Sequence, residues 1–230
     1  MKIKIEIKSV FGKVLFALEK ENNTIKDTLE EAVRNNVNLE NANLYNADLR
    51  NANLEYANLE DVNLEYANLI NANLENANLY NASLYNTSLY NTNLKNANLE
   101  DANLKNANLY NASLYNTNLK NANLYNAFLI NADFRNSNLE GAYLEDANLV
   151  NVNLENAKNK ETAILPIFCK WSYGIKGDLI KIGCVEKTIE QWDLWFDSEE
   201  EYSTSRNTKD FKQIQAVYNA LKAYYLTLNK

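Results

Sequence analysis

Ala42-Asn43-Leu44-Tyr45-Asn46-Ala47-Asp48-Leu49-Arg50-Asn51 is two units of a five-residue period that runs from Val37 to Ala157. Leu recurs at every fifth residue from 39 to 154, 24 positions in all, with Phe134 as the one replacement. The small residue two places earlier is usually Ala, with Val37, Val62, Val152, Thr87, Thr92, Thr117 and Ser137 as variants. A period of five suits neither standard element. On an α-helix, at about 100° per residue, successive leucines are offset by about 140° and no apolar stripe forms. In a flat strand an odd period sends consecutive leucines to opposite faces. The leucines share one interior only if the chain turns by the same angle at each unit and wraps into a tube, with Leu and the small residue inward and the other three outward.

Units such as Ala42-Asn43-Leu44-Tyr45-Asn46 resemble the pentapeptide repeat family, whose pattern is a small residue, Asp/Asn, Leu and two variable positions. The resemblance implies an all-β solenoid, a right-handed quadrilateral β-helix with four pentapeptides per coil. Here that would be about six coils, about 29 Å tall at a strand spacing of about 4.8 Å. The recurrent Asn suits corners, because it tolerates left-handed dihedrals and bonds its own backbone, and stacked Asn side chains can form amide ladders. Three segments are expected: residues 1–36 as an N-terminal cap of two strands (2–8 and 13–19) and a helix, 37–157 as the β-helix, and 158–230 as an α+β module. Thr24 with Asp27 forms a capping-box start for the first helix, and open β-helix ends need covering against polymerisation.

In the last segment a hairpin around Lys176-Gly177 is expected to pair residues whose numbers sum to 353. It would place Cys169, Trp171, Tyr173 and Ile175 on one face with Ile180, Ile182 and Cys184. Cys169 then faces Cys184; two buried thiols are the preferred reading over a disulfide in a cytosolic chain. Thr188 and Gln191 cap a short helix bearing Trp192, Trp195 and Phe196, and a final helix from about Asp210 carries Phe211, Ile214, Tyr218, Leu221, Tyr225 and Leu228 at three/four spacing. That stripe requires a partner, for which the hairpin, the last coil and a second subunit all qualify. The stretches Lys170-Trp171-Ser172, Glu190-Gln191-Trp192 and Ala216-Val217-Tyr218, with the lead-in Asp27-Thr28-Leu29, resemble modules that accompany pentapeptide repeats in uncharacterised bacterial and phage proteins; they imply no activity.

Composition excludes much chemistry. The chain has no His and two Cys, which removes a histidine base, the Ser-His and Cys-His pairs and His-containing zinc sets. Cys169, Cys184, Asp178 and the run Glu199-Glu200-Glu201 read as core thiols, a turn acid and solvated charge, so the chain is read as not an enzyme, with no cofactor or metal. No apolar run approaches the roughly 18 residues of a membrane span, and the N-terminus alternates Lys/Glu with Ile, so a cytoplasmic location is expected. A net charge of −7 disfavours direct binding to nucleic acid or anionic membrane.

Acidic or neutral protein surfaces remain. At 20 residues per coil the residue after each Leu sorts into four columns. One is mostly apolar: Arg50, Ile70, Tyr90, Tyr110, Ile130 and Val150, joined by outward Phe128. Such a strip marks an interface, with another protein, a second copy of the chain or the C-terminal module as occupant. Charge divides the tube: residues 36–79 carry net −6, 80–130 net +1 and 131–157 net −4. The acids Glu40, Glu55, Glu60, Asp61, Glu65 and Glu75 thus lie on one side, and Glu140, Glu145 and Asp146 on the other, of a belt of Tyr80, Tyr85, Tyr90, Tyr110, Tyr115 and Tyr125.

Two functions follow. The first is a scaffold that binds a host or phage protein through the apolar column and the tyrosines. The second comes with the family resemblance, some of whose members protect or inhibit DNA gyrase by resembling DNA: an acidic mimic acting on a nucleic-acid-handling enzyme, as in phage counter-defence. Duplex DNA would carry about 17 charges over about 29 Å, against a net −9 for residues 36–157, so the mimicry is partial.

Overall fold

The structure is a computed structural model that describes residues 1–159, 173–176, 178–182, 185–198 and 209–228. The chain divides into two compact units, Met1–Ala163 and Ile164–Lys230.

In the first unit the backbone pairs with itself at a spacing of twenty residues: parallel bridges join Asn43 to Asn63, Asn63 to Ser83 and Ser83 to Asn103, and likewise on the other faces up to Asn138 with Lys158. Four pentapeptides therefore complete one coil. The unit Ala102–Asn106 shows how every N–H is satisfied. Ala102 donates to the Leu99 carbonyl (3.1 Å), Asn103 to Ala82 one coil back (2.9 Å), Leu104 and Asn106 to Asn123 and Tyr125 one coil on (2.7 and 2.9 Å). The remaining N–H, of Lys105, donates to the Asn103 side-chain Oδ1 at 3.2 Å. No backbone donor of this unit is stranded, as a tube built without long strands requires.

The Ala-to-Leu bond closes a four-residue turn whose third residue has positive φ, between 53° and 64° from Asn41 to Asn156. That residue is Asn at most units, Asp at 61, 101 and 146, Gly at 141, and Tyr at 56 and 66. The two asparagines of the repeat thus have separate tasks: the one after the variable residue takes the left-handed corner, and the one before Leu caps an N–H. The interior is one column of side chains in which leucines from Leu39 to Leu144 and Phe134 are at most 3% exposed. Where Thr replaces Ala, its hydroxyl bonds a leucine carbonyl of the preceding coil: Thr87 to Leu64, Thr92 to Leu69 and Thr117 to Leu94, at 2.8–2.9 Å. A buried hydroxyl is tolerated because this acceptor stands beside it.

Strands β1 (Lys2–Lys8) and β2 (Val14–Glu21) form an antiparallel hairpin and α1 spans Ile25–Arg34, with both bonds of the Thr24/Asp27 capping box present. Ile7, Leu29 and Ala32 are buried in the same cluster as Leu39 and the interior leucines. The Asn43 N–H donates to the Lys8 carbonyl (2.7 Å), Val10 N–H to the Asn41 carbonyl (2.8 Å) and Asn53 N–H to Glu30 Oε1 (2.9 Å). The first-coil donors of Asn43 and Asn53, which have no preceding coil, are thus met by the N-terminal segment.

The second unit has the strands β3 (Tyr173–Lys176), β4 (Leu179–Ile182) and β5 (Val185–Lys187) in that order, α2 (Ile189–Asp197) and α3 (Lys209–Leu228). The hairpin register corrects the sequence expectation: Lys176 pairs Leu179 and Ile175 pairs Ile180, so paired numbers sum to 355, not 353. The shift is by two residues, so Ile180 and Ile182 keep the buried face expected of them. Strand β5 was not foreseen. Cys169, Trp171 and Cys184, and hence their proposed pairing, lie outside the described residues, as does Glu199-Glu200-Glu201. Of the α3 stripe, Tyr218 and Leu221 are buried with Ile180, Ile182, Trp192 and Trp195, and Ile214 packs against them, within the same unit.

Candidate interaction surface

The outer wall of the coils carries the candidate residues, and three kinds of lateral contact fix them. The first is the amide ladder. Asn58, Asn78, Asn98, Asn118 and Asn138 each donate from Nδ2 to the Oδ1 of the asparagine twenty residues earlier, starting at Asn38, at 2.8–3.2 Å. Asn159 continues the run onto Asn138.

The second links a residue to one eighteen later. Asn78 donates to Glu60 (3.2 Å), Asn93 to Glu75 (2.9 Å), Asn118 to Glu100 (3.0 Å) and Ser83 to Glu65 (2.8 Å). Several of the predicted acids are therefore pinned to the wall by neutral donors rather than by cations. Asp61 accepts from Asn81 and Glu40 from Asn38 and Asn41. On the other side of the belt, Glu140 faces Lys120 at 3.5 Å and Glu145 accepts from the Tyr143 hydroxyl. Asp146 is the group that raises the Tyr125 hydroxyl above its usual range, chiefly through a hydrogen bond. Glu55 is half-buried.

The third contact is aromatic. Tyr90 and Tyr110, twenty apart, stack at 5.3 Å with planes within 2°, and Phe128 extends the stack onto Tyr110 at 6.2 Å and 16°. Phe128 stands at the pre-leucine position where Asn118 meets Glu100, so ring stacking replaces an amide–carboxylate bond at the same eighteen-residue offset. Tyr143 does the same on Tyr125, at 6.0 Å and 11°. Of the apolar column, Phe128, Val150 and Tyr90 are exposed and Ile70, Tyr110 and Ile130 half-buried.

The tyrosine belt is not uniform. Lys105 lies 4.9 Å over Tyr125, and Arg135 lies 5.8 Å over Tyr115. Tyr80 is tied to Asp101, whose charge first and hydrogen bond second hold its hydroxyl above the ordinary range. Arg135 also forks onto Asp133 at 2.9 and 2.7 Å, which keeps that carboxyl below its usual range. Tyr85 belongs elsewhere, with Tyr45 and Tyr66 in an edge-to-face cluster that the column reading missed. The available sign was Tyr56 and Tyr66 themselves, placed where the repeat calls for Asn. Asp178, weighed as an enzymatic acid, accepts from the Tyr225 hydroxyl at 2.7 Å. No group of His, Cys, Asp and Glu among the described residues forms a metal cluster, and no described helix is long and apolar enough to cross a membrane.

A tube of five-residue turns with this wall defines a class. Residues 35–65, 57–96, 97–136 and 129–158 match the family described as Pentapeptide repeats, in eight copies, and the chain belongs to that family. Among solved structures it is similar to the pentapeptide repeat protein Rfr23 from the cyanobacterium Cyanothece 51142, at 32% identity over 51% of this chain and 90% of that one, TM-score 0.39. It is also similar to HetL, a pentapeptide repeat protein involved in heterocyst differentiation regulation from Nostoc sp. strain PCC 7120, at 32% identity over 54% and 66%, TM-score 0.37. QnrB1, a plasmid-mediated fluoroquinolone resistance protein, matches at 17% identity over 54% and 77%, TM-score 0.22. No curated protein matches the chain.

Proposed function

We propose that the protein is a non-enzymatic interaction scaffold that binds another protein through the outer wall of its β-helix, a right-handed tube of about six coils closed at its start by the N-terminal hairpin and helix. The observation that carries this is the Tyr90–Tyr110–Phe128 stack, continued by Ile130 and Val150. Stacked rings turn their faces toward each other and their edges outward, at fixed intervals on a stiff wall. Such rings are pre-ordered, so burying them costs little further side-chain entropy. Their hidden faces also argue against capture of nucleic-acid bases, which stack face to face.

The test compares affinity isolation from host lysate by the wild type and by the Tyr90→Ala/Tyr110→Ala variant. A protein retained by the first and lost by the second, with far-UV circular dichroism unchanged, is the expected result. An identical set of retained proteins removes the proposal. The acidic flanks favour a second reading, an acidic mimic acting on a nucleic-acid-handling enzyme, because Glu60, Glu65 and Glu75 are held in place by Asn and Ser and keep their charge uncompensated by those bonds. That reading requires the retained protein to be displaced by duplex DNA and by added salt.

A further inference from the structure

Tyr66 occupies a left-handed corner at φ 60°, a conformation costly for an aromatic residue and given to Asn, Asp or Gly at every corner from Asn41 to Asn156 except this one and Tyr56. What Tyr66 provides and Asn cannot is a ring. It lies between Tyr45 (5.5 Å, 60°) and Tyr85 (5.6 Å, 83°), the second nearly edge-on to it. An edge-to-face contact covers a face of one ring only, whereas the Tyr90–Tyr110 stack covers a face of both. Tyr45 and Tyr66 are 55% and 45% exposed, far more than a cluster built only for packing would leave.

Glu65 stands in the same column as Tyr45 and Tyr85 and between them in coil order. Its Oε1 accepts from Ser83 at 2.8 Å, which orients the carboxylate. Among the described residues no lysine or arginine stands over Tyr45, Tyr66 or Tyr85, although the wall supplies cations to other tyrosines. One of those shows what fits. Arg135 forks onto Asp133 and lies over Tyr115, so a guanidinium held by a carboxylate against a tyrosine ring is an arrangement this coil spacing accommodates. Open ring faces, an oriented carboxylate and a net −6 over residues 36–79 make the same demand from outside the chain.

We propose that Tyr45, Tyr66 and Tyr85 with Glu65 form a binding site for an arginine side chain of a partner protein. Arginine is preferred to lysine because its planar group can lie on a ring and meet a carboxylate through two N–H bonds at once. The site lies on a different column from the Tyr90 stack and stands or falls separately from it.

The test titrates the full-length protein with acetyl-Gly-Arg-Gly-Arg-Gly-amide and follows assigned tyrosine ring signals by nuclear magnetic resonance, with the citrulline and lysine counterparts alongside. Saturable shifts at Tyr45, Tyr66 and Tyr85 are expected with the arginine peptide, weaker ones with lysine and none with neutral citrulline. Tyr66→Asn and Glu65→Gln should each weaken binding by about five-fold or more. The Tyr66→Asn protein should melt no lower than wild type, since Asn suits that corner, and Tyr90→Ala/Tyr110→Ala should bind the peptide unchanged. Absence of shifts, full binding by Tyr66→Asn, equal binding of lysine, or a loss in Glu75→Gln as large as in Glu65→Gln would each overturn the assignment.

Discussion

The five residues of one unit divide the work of a coil so completely that single substitutions have distinct signs. At Tyr56, 72% exposed with φ 59°, the ring has no described packing partner to offset its dihedral. Tyr56→Asn should therefore raise stability by about 1 kcal/mol, read as a higher denaturant midpoint with unchanged slope. Asn98 acts in the opposite sense, because its Oδ1 takes the Glu100 N–H and the Asn118 amide while its Nδ2 donates to Asn78. Asn98→Ala strands a backbone donor in the wall and interrupts the ladder, for a loss of about 1–3 kcal/mol in the same assay. The leucine interior and the left-handed corners were legible because each is an intrinsic property of a residue type repeated many times. Contacts such as Tyr45–Tyr66 and Tyr110–Phe128 were not, since their offsets of 21 and 18 residues depend on how side chains lean between coils, which a twenty-residue column does not encode.

Among the elements, the helices were readable from their first turn: Thr24 with Asp27 and Thr188 with Gln191 form the expected capping boxes, because the cap is a contact over three residues. The hairpin register was not, since sums of 353 and 355 bury the same residues and leave loops of equal length, so neither burial nor turn length chooses between them. In the second unit the α2–α3 contact includes one titratable knot. Lys222 Nζ and the Tyr218 hydroxyl reach Asp193 at 2.7 and 2.6 Å, and the lysine bond first and the tyrosine bond second lower the Asp193 carboxyl. A group whose folded pKa is depressed contributes stability above its unfolded value, near 4, and loses that contribution as pH falls through the folded value. Asp193→Asn should thus destabilise this unit near pH 7, by about 1 kcal/mol or less because the pair is partly exposed, and have little effect near pH 3. All three tryptophans, 171, 192 and 195, lie in this unit, so denaturation followed by tryptophan fluorescence isolates it from the coils.

At the scale of the whole repeat unit, interior and surface obey different periods, five residues for the leucines and twenty for the columns, and deletions can separate them. Removing residues 97–106 takes out two pentapeptides, so every leucine still points inward and every remaining corner keeps its own residue. The wall after the cut, however, rotates by half a coil: Lys120 arrives where Tyr110 stacked on Tyr90, and Asn138 where Phe128 stood. Removing residues 47–66 takes out one full coil ahead of the stack, and the asparagines at 73 and 78 arrive where Asn53 and Asn58 met Glu30 and Asn38. Both shortened chains should fold, with far-UV circular dichroism per residue like that of the parent and melting temperatures lowered in step with the interior lost. Only the chain lacking 47–66 should keep a partner that depends on the Tyr90 stack. If the ten-residue deletion retains that partner as well, the stack does not form the binding surface, because its geometry is what that deletion destroys while the solenoid is left standing.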